Sequence, residues 1–273
     1  MQILPSTELS SYIRHYLFLN SAGQAVQKMR LFSDGNTGLV FCIKGSLLTV
    51  EDPLQNHSRL PSSFMYGQIS EYKDLTILNE TSLIIVVFQP DGLKKIKGIS
   101  GSEVRDQILK ASDGLGTIAD ALYEKLIQKV DPRSQVQVLN SFFINLERKQ
   151  SYSNEHLIHD TLQYIIKSHG TCSIHQLVEY SGYTERHLER VFNECIGLSP
   201  KKFSNIIQLH HFLKLIKQPS HSVKITDSGY EAGYFDQSHL IREFKKYTGM
   251  TPTQYLQETN RLAINFLNMC YVL

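Results

Sequence analysis

The stretch HLERVF, residues 187–192, returns as HLIREF at residues 239–244, an offset of 52. The match runs well past six residues. Gly197-Leu198-Ser199-Pro200-Lys201-Lys202-Phe203 is echoed at the same offset by Gly249-Met250-Thr251-Pro252-Thr253-Gln254-Tyr255, and both fit Gly-x-Ser/Thr-Pro-x-x-aromatic. Upstream, Gly182-Tyr183 matches Gly233-Tyr234 and Ile174 matches Ile225 at an offset of 51, so the second copy carries one inserted residue between glycine and histidine. Register held across glycine, histidine, arginine, aromatic and proline positions marks an internal repeat.

Each copy reads as helix, turn, helix. A short helix, about 174–180 and then 226–232, ends near a glycine suited to a left-handed turn. Thr184 and Asp236 then stand where a polar residue caps the next helix. Ser199-Pro200 and Thr251-Pro252 each place a capping residue before a proline at the first helical position. The first of these opens a helix predicted over 201–217, with Phe203, Ile206, Ile207, Leu213 and Ile216 on its apolar face and Pro219 closing it. Such a helix spans roughly 25 Å. That is close to what would hold two small helical units one DNA turn apart, about 34 Å between successive major grooves.

On the second helix of copy one, Leu188 and Phe192 are i,i+4 partners that should face a core. Arg186, Glu189, Arg190 and Asn193 fall on the other side. In copy two, Leu240, Phe244 and Tyr247 point inward, leaving Gln237, Ser238, Ile241, Arg242 and Lys245 outward or flanking. Arginine and glutamine on an exposed helix face can bond guanine or adenine edges in pairs. A solvated charged face is the alternative for one isolated helix; two matched copies with a bridging helix favour a nucleic-acid reader. His187 and His239 stand three residues after their caps, a position open both to a local helix-start role and to DNA contact. No second His, Cys or carboxylate stands at metal-ligand spacing from them.

Charge gives this reading little help. Residues 171–258 hold 10 Lys+Arg against 9 Asp+Glu, and the whole chain carries +2. Phosphate neutralisation supplies much of DNA affinity, so modest intrinsic affinity is expected, with dimerisation or a partner making up the rest. Helix starts at Pro200 and Pro252 can also offer backbone N–H groups to phosphates. Ser199, Lys201, Lys202, Thr251 and Lys245 are the expected phosphate contacts.

These residues resemble the AraC/XylS family of bacterial transcription regulators over about 154–257. Gly-Tyr-Phe-Asp-Gln-Ser-His-Leu-Ile-Arg-Glu-Phe followed by Gly-Met-Thr-Pro-Thr-Gln-Tyr carries most of the likeness. The resemblance implies an all-α domain of seven helices with two helix-turn-helix units, about 171–197 and 222–249, whose recognition helices enter adjacent major grooves. It puts Arg186, Glu189 and Arg190, then Gln237, Ser238, His239, Ile241 and Arg242, at base-facing or backbone-facing positions. The chain departs from the family pattern at Val178, where a small residue is usual, and at Asn205, Gln208 and His211, where basic residues are common. Glu189 sets an acid on the reading surface, able to accept from cytosine N4 or to cost affinity. Partners expected on this reading are double-stranded promoter DNA, RNA polymerase, a small-molecule effector of unknown identity and a second copy of the chain.

The first half has a different period. Residues 38–43 and 46–50 are β-rich runs parted by Lys44-Gly45, which predicts a hairpin. Residues 75–78 and 83–88 add two strands around Asn79-Glu80 as a turn, and Gln89-Pro90-Asp91-Gly92 stops the last. Several short strands favour a small barrel or sandwich. Helical spacing then follows at Ile118, Leu122, Leu126 and Ile127, with Asp131-Pro132 ending it, and at Val136, Leu139, Phe143 and Leu146. Asp34-Gly35 ahead of the strand Leu39-Val40-Phe41, and Phe88-Gln89-Pro90-Asp91-Gly92 ahead of helices, look like the sensor domain attached to many such regulators. That likeness implies a cupin-like β-barrel followed by helices of the dimerising kind. The expected fold class is therefore α+β. Residues 1–150 form a sensor domain (barrel about 1–90, helices about 91–150), Lys149–Ser153 a linker, 154–258 the DNA-binding domain and 259–273 a tail.

Several functions are disfavoured. Only His15 and His57 precede residue 150, which argues against a metal-dependent cupin enzyme. A DNA-repair methyl acceptor can share the helical repeat but needs a cysteine-rich zinc module, and that half holds only Cys42. No Ser/His/Asp or paired-carboxylate constellation stands out, so neither enzyme activity nor a cofactor is expected. The four cysteines are scattered without a Cys-x-x-Cys pair, which makes a reducing cytoplasm the default. The first residues lack the pattern of a secretory signal, and the run Leu83–Phe88 is too short to span a bilayer, so no membrane is expected. A helical interaction module without DNA binding is the remaining competitor.

Overall fold

The computed structural model describes residues 1–21, 27–50, 57–146, 152–217, 225–257, 261–263 and 266–269. Strands β1 (Gln2–Ile3), β2 (Ile13–Ser21), β3 (Gln27–Leu31), β4 (Gly38–Val50), β5 (His57–Arg59), β6 (Ser63–Tyr66) and β7 (Lys73–Phe88) come first. Helices α1 (Gly92–Lys97) and α2 (Gly101–Val104), strand β8 (Ile108–Lys110) and helices α3 (Ala111–Leu115), α4 (Ile118–Ile127) and α5 (Pro132–Leu146) follow. Then come α6 (Glu155–Lys167), α7 (Ile174–Ser181), α8 (Glu185–Cys195), α9 (Pro200–Leu215), α10 (Ile225–Glu231), α11 (Gln237–Thr248) and α12 (Pro252–Gln257). Strands β9 (Arg261–Ala263) and β10 (Phe266–Met269) close the described chain.

The long strands β4 and β7 are antiparallel neighbours along most of their length. On the far edge of β7, β2 pairs with its C-terminal half and β3 with its N-terminal half. On the far edge of β4, β6 pairs with Gly38–Phe41 and β5 with Leu48–Val50. Two strands thus run through both halves of one bent sheet. The hairpins expected at Lys44-Gly45 and Asn79-Glu80 do not form. Both sites are bends within continuous strands, where pairing slips between Cys42 and Lys44 and again between Lys44 and Ser46. Gly45 has φ 80°, and a Cβ there would lie 2.7 Å from the Glu80 carbonyl oxygen. A glycine of this conformation serves a bulge as readily as a hairpin turn. Only the pairing of β4 with the distant β7 distinguishes the two.

The expected barrel is also corrected: the sheet path runs from β8 to β9 and its two ends are not paired among the described residues. Closure would need those ends to bond. Along β7, Ile84, Val86 and Phe88 join a core with Leu122, Leu126, Leu139 and Phe143 of α4 and α5. The alternate residues Leu83, Ile85 and Val87 face Val40, Leu47, Phe64 and Leu75 instead. Burial on both faces is why this strand reads as an unbroken apolar run. On α4 only part of the expected stripe turns inward, since Ile118 and Ile127 are exposed. Pro132 opens α5 rather than merely ending α4.

Helices α6 to α12 share a second core, built on Leu188, Phe192, Phe203, Phe212, Leu240, Phe244 and Tyr255. The bridging helix α9 is buried more fully than its expected face: Leu209 and Phe212 are also inside, and so are Ser204 and Gln208. Burial on most of its sides, two polar residues included, puts α9 in the middle of its domain. The expected closing residue Pro219 and most of the expected linker lie outside the described residues. The first domain reaches into this second core. Phe32 is buried there, its ring 6.4 Å from Tyr255 and 6.0 Å from His210. His210 Nε2 lies 2.8 Å from the Ser33 carbonyl oxygen. In the other direction, β10 pairs antiparallel with β3, Phe266 opposite Leu31 through Met269 opposite Lys28.

Candidate nucleic-acid interface

The capping expected from the repeat is present in both copies. The Thr184 hydroxyl oxygen accepts from His187 N at 3.3 Å, and Asp236 Oδ1 accepts from His239 N at 2.7 Å. The turn glycines Gly182 and Gly233 sit at φ 72° and 82°. Ser199 accepts from Lys202 N, while Thr251 and Gln254 cap each other reciprocally. Each second helix, α8 and α11, is therefore started by side-chain chemistry local to it, worth about 1 kcal/mol per cap.

The apolar positions of α8 and α11 then fix which faces remain outside. Leu188 and Phe192, and Leu240, Phe244 and Tyr247, are buried. Arg186, Glu189, Arg190 and Asn193 are exposed on α8; Gln237, Ser238, Arg242 and Lys245 are exposed on α11, with Ile241 half-buried. Helix α9 ties the two together. Phe203 near its start meets Phe192 edge-on at 6.4 Å, and Phe212 near its end meets Phe244 at 5.8 Å. Nine residues of helix separate these anchors by about 14 Å. Gln208 Nε2 donates to the Ala232 carbonyl at 3.0 Å and Asn205 Nδ2 to Glu243 Oε2 at 3.3 Å. Two of the three bridging-helix positions that depart from the family pattern thus bind the second unit to the bridging helix. Lys201 and Lys202 are exposed at the start of α9, while Ser199 and Thr251 are half-buried.

Both repeated histidines are half-buried and turned toward aromatic rings. His187 stacks on Tyr183 with centroids 4.8 Å apart, and His239 meets Tyr234 edge-on at 5.5 Å. His187 Nε2 and His239 Nδ1 are buried without a hydrogen-bond partner among the described residues. Their backbone N–H groups serve the caps, and their rings pack. This geometry favours the helix-start role over base contact.

What the sequence did not reveal is how the first domain grips both α8 and α11 by their C-terminal ends. On α8, Lys94 Nζ pairs with Glu194 Oε1 at 3.0 Å, and Arg105 Nη1 donates to Asn193 Oδ1 at 3.2 Å and to the Gly197 carbonyl at 3.4 Å. Gly101 packs so closely that a Cβ there would lie 2.3 Å from Gly197 N. On α11, Arg30 is held by both Asp74 oxygens at 2.7 and 2.6 Å, lies 4.0 Å over the Tyr72 ring and donates to the Thr248 carbonyl at 3.4 Å. Cations at helix C-termini complement the helix dipole. Gly197 and Gly249 are equivalent repeat positions, so the same point of each copy is a docking point.

Between the bent sheet and helices α6 and α9 lies a cavity of about 790 Å³. Val40, Leu47, Phe64, Leu75, Ile85 and Val87 give it apolar walls. Arg14, Lys73 and Lys214 reach it against Asp34 and Asp106, together with His15, His169, His210 and His211. Asp106 is already engaged by the Ser70 amide and hydroxyl. His169 and His211 stack with centroids 4.0 Å apart. Burial holds His210 below the ordinary histidine pKa, and burial followed by the neighbouring His169 does the same to His211.

Residues 177–258 match the model of a helix-turn-helix domain of the AraC type. The chain carries an AraC-type helix-turn-helix domain. Such domains bind DNA in transcriptional regulators. Residues 1–110 match a family described as a domain of unknown function, DUF6597. An uncharacterized HTH-type transcriptional regulator of Staphylococcus aureus is 30% identical over 107 residues, 39% of this chain and 14% of that protein. A second, from Haemophilus influenzae, is 33% identical over 82 residues, 30% of this chain and 27% of that protein. The chain thus spans about a seventh to a quarter of the length of these curated relatives. Among solved structures, ToxT from Vibrio cholerae gives a TM-score of 0.49 at 11% identity, over 89% of this chain and 97% of that one. A ToxT structure with bound unsaturated fatty acid gives 0.47 at 12%, over 88% and 94%. Among the described residues no helix is long and apolar enough to cross a membrane.

Proposed function

We propose that the chain is a sequence-specific transcriptional regulator whose helices α8 and α11 enter adjacent major grooves of promoter DNA. One observation carries this reading: two side-chain-capped helices present exposed polar faces and are held at a set spacing by the buried helix α9. Arg186, Glu189 and Arg190 on α8, and Gln237, Ser238, Ile241 and Arg242 on α11, are the proposed reading residues. His239 is the weakest member, because its ring packs against Tyr234. Lys201, Lys202 and Lys245 would neutralise phosphates, and Ser199 and Thr251 stand at helix starts suited to phosphate oxygens. Footprinting of the purified protein across genomic DNA, with affinity followed against salt, tests this. A short protected motif and affinity falling with salt are expected. Salt-independent, sequence-blind behaviour would leave only a helical interaction module.

The cavity supports control by a small molecule. Its apolar walls come from the sheet, and α9, the helix that spaces the two reading units, adds Ile207, His210, His211 and Lys214 to its lining. A ligand there would touch both, so occupancy would bias how the units stand relative to the first domain. Apolar walls with three basic side chains, set against Asp34 and the Ser70-engaged Asp106, fit an apolar molecule bearing one acidic group. Thermal shift of the intact protein across a panel of such acids, repeated with Val40→Arg, checks the site. A shift in the wild type that the variant loses is expected; a shift in both would place the ligand elsewhere.

A further inference from the structure

The repeat is unequal at one residue. Tyr183 and Tyr234 each directly follow the turn glycine, and each sets its ring against the histidine at the third position of the following helix. They are therefore equivalent, and the residue inserted in the second copy is Phe235, which has no counterpart in the first. Phe235 is 85% exposed, more than any other large aromatic side chain among the described residues. An apolar residue just before a cap ordinarily staples to the fourth helical residue. Here that residue, Leu240, is buried without it.

Single exposed apolar side chains are common and need no explanation by themselves. Position distinguishes this one. Phe235 adjoins the cap Asp236 and stands two residues before Gln237, at the end of α11 that carries Gln237 and Ser238. The N-terminal residues of a recognition helix are the ones that reach base edges. In the major groove, the apolar group available to a phenyl ring is the thymine C5-methyl. The neighbouring polar residues can read hydrogen-bonding edges, and none of them can read a methyl group well.

We infer that Phe235 is a specificity-determining residue of the second unit, which packs on a thymine methyl that the first unit has no means to read. The inference rests on the DNA-binding reading. A randomised duplex library selected with the full chain, with Phe235→Ser and with Phe235→Leu tests it. Uracil is then exchanged for thymine, position by position, in the wild-type consensus. The wild type is expected to enrich thymine at one or two positions under the second unit, and uracil there to weaken binding about three- to fourfold, the worth of one buried methyl. Phe235→Ser should bind the thymine and uracil duplexes equally while keeping the rest of the motif, and Phe235→Leu should restore most of the preference. Because the side chain is exposed, Phe235→Ser should leave thermal stability unchanged. A wild-type motif whose uracil penalty survives in Phe235→Ser overturns the inference, as does a motif with no such thymine. If the wild type enriches no sequence at all, the DNA-binding reading itself falls.

Discussion

At the end of α8, Gly197 meets Gly101 backbone to backbone; at the equivalent end of α11, Gly249 meets the side chains of Arg30 and Tyr72. The two copies share caps, turn glycines and core phenylalanines, yet the first domain holds them by different means. A backbone contact cannot yield without moving a helix, whereas side chains can change rotamer. The first unit is thus held by a backbone contact as well as by Lys94 and Arg105, and the second through the side chains of Arg30 and Tyr72. The second also carries the extra apolar residue, Phe235, and the hydrogen bonds from Asn205 and Gln208 of α9.

The shared part of the comparison gives the largest expected effect. Phe192→Ala and Phe244→Ala each empty a fully buried site and should each cost about 3–5 kcal/mol. Denaturant unfolding would measure it, and a marked inequality would show that the two cores are not equivalent. Gly101→Ala should come next, at about 1–3 kcal/mol, because its methyl meets the backbone of Gly197. Hydrogen exchange should then quicken in α1, α2 and the end of α8 while α11 is unaffected; equal quickening of both would erase the contrast. For DNA, Arg242→Ala should lose about 1–3 kcal/mol on the selected site. Arg190→Ala should lose less, since Arg190 already lies 3.5 Å from Glu194. A reversed order in equilibrium binding would make α8 the dominant reader.

The smallest effect is expected from pH. His210, half-buried on α9, meets the Ser33 carbonyl; loss of solvent around the ring lowers its pKa, Asp34 and the Ser33 hydrogen bond oppose that, and Arg14 and Lys214 add to it. The unfolded chain therefore takes up this proton before the folded one does. The stability concerned is complete above the ordinary histidine value of about 6.5 and is lost as pH falls from there toward the lowered value. Melting temperature followed from about pH 7.5 to 5.5 should fall more in the wild type than in His210→Phe. Parallel curves would show that His210 does not couple the domains.

The helical domain was legible because its determinants are local. Thr184, Asp236, Ser199 and Thr251 cap within three residues of themselves, and Leu188/Phe192 and Leu240/Phe244 mark one helix face each. The sheet was less so. Gly45 and Asn79-Glu80 carry the composition of hairpin turns, and whether such residues turn the chain or bend a continuous strand depends on the partner strand. In β4 and β7 that partner lies more than thirty residues away. Phe32 and Gln208 were missed for the same reason, since a buried phenylalanine does not say which core it joins, nor a glutamine which carbonyl it seeks.

By itself, the sequence determined the doubled helix-turn-helix, its caps, its inward faces and the candidate reading residues, because these follow from spacing along one helix. Tertiary structure alone decided that the barrel stays open and that Phe32 and β10 cross between the two halves. It also decided that Gly197 and Gly249 become docking points. Those outcomes depend on contacts between residues far apart in the chain, where loop closure and packing, and no local preference, select the partner.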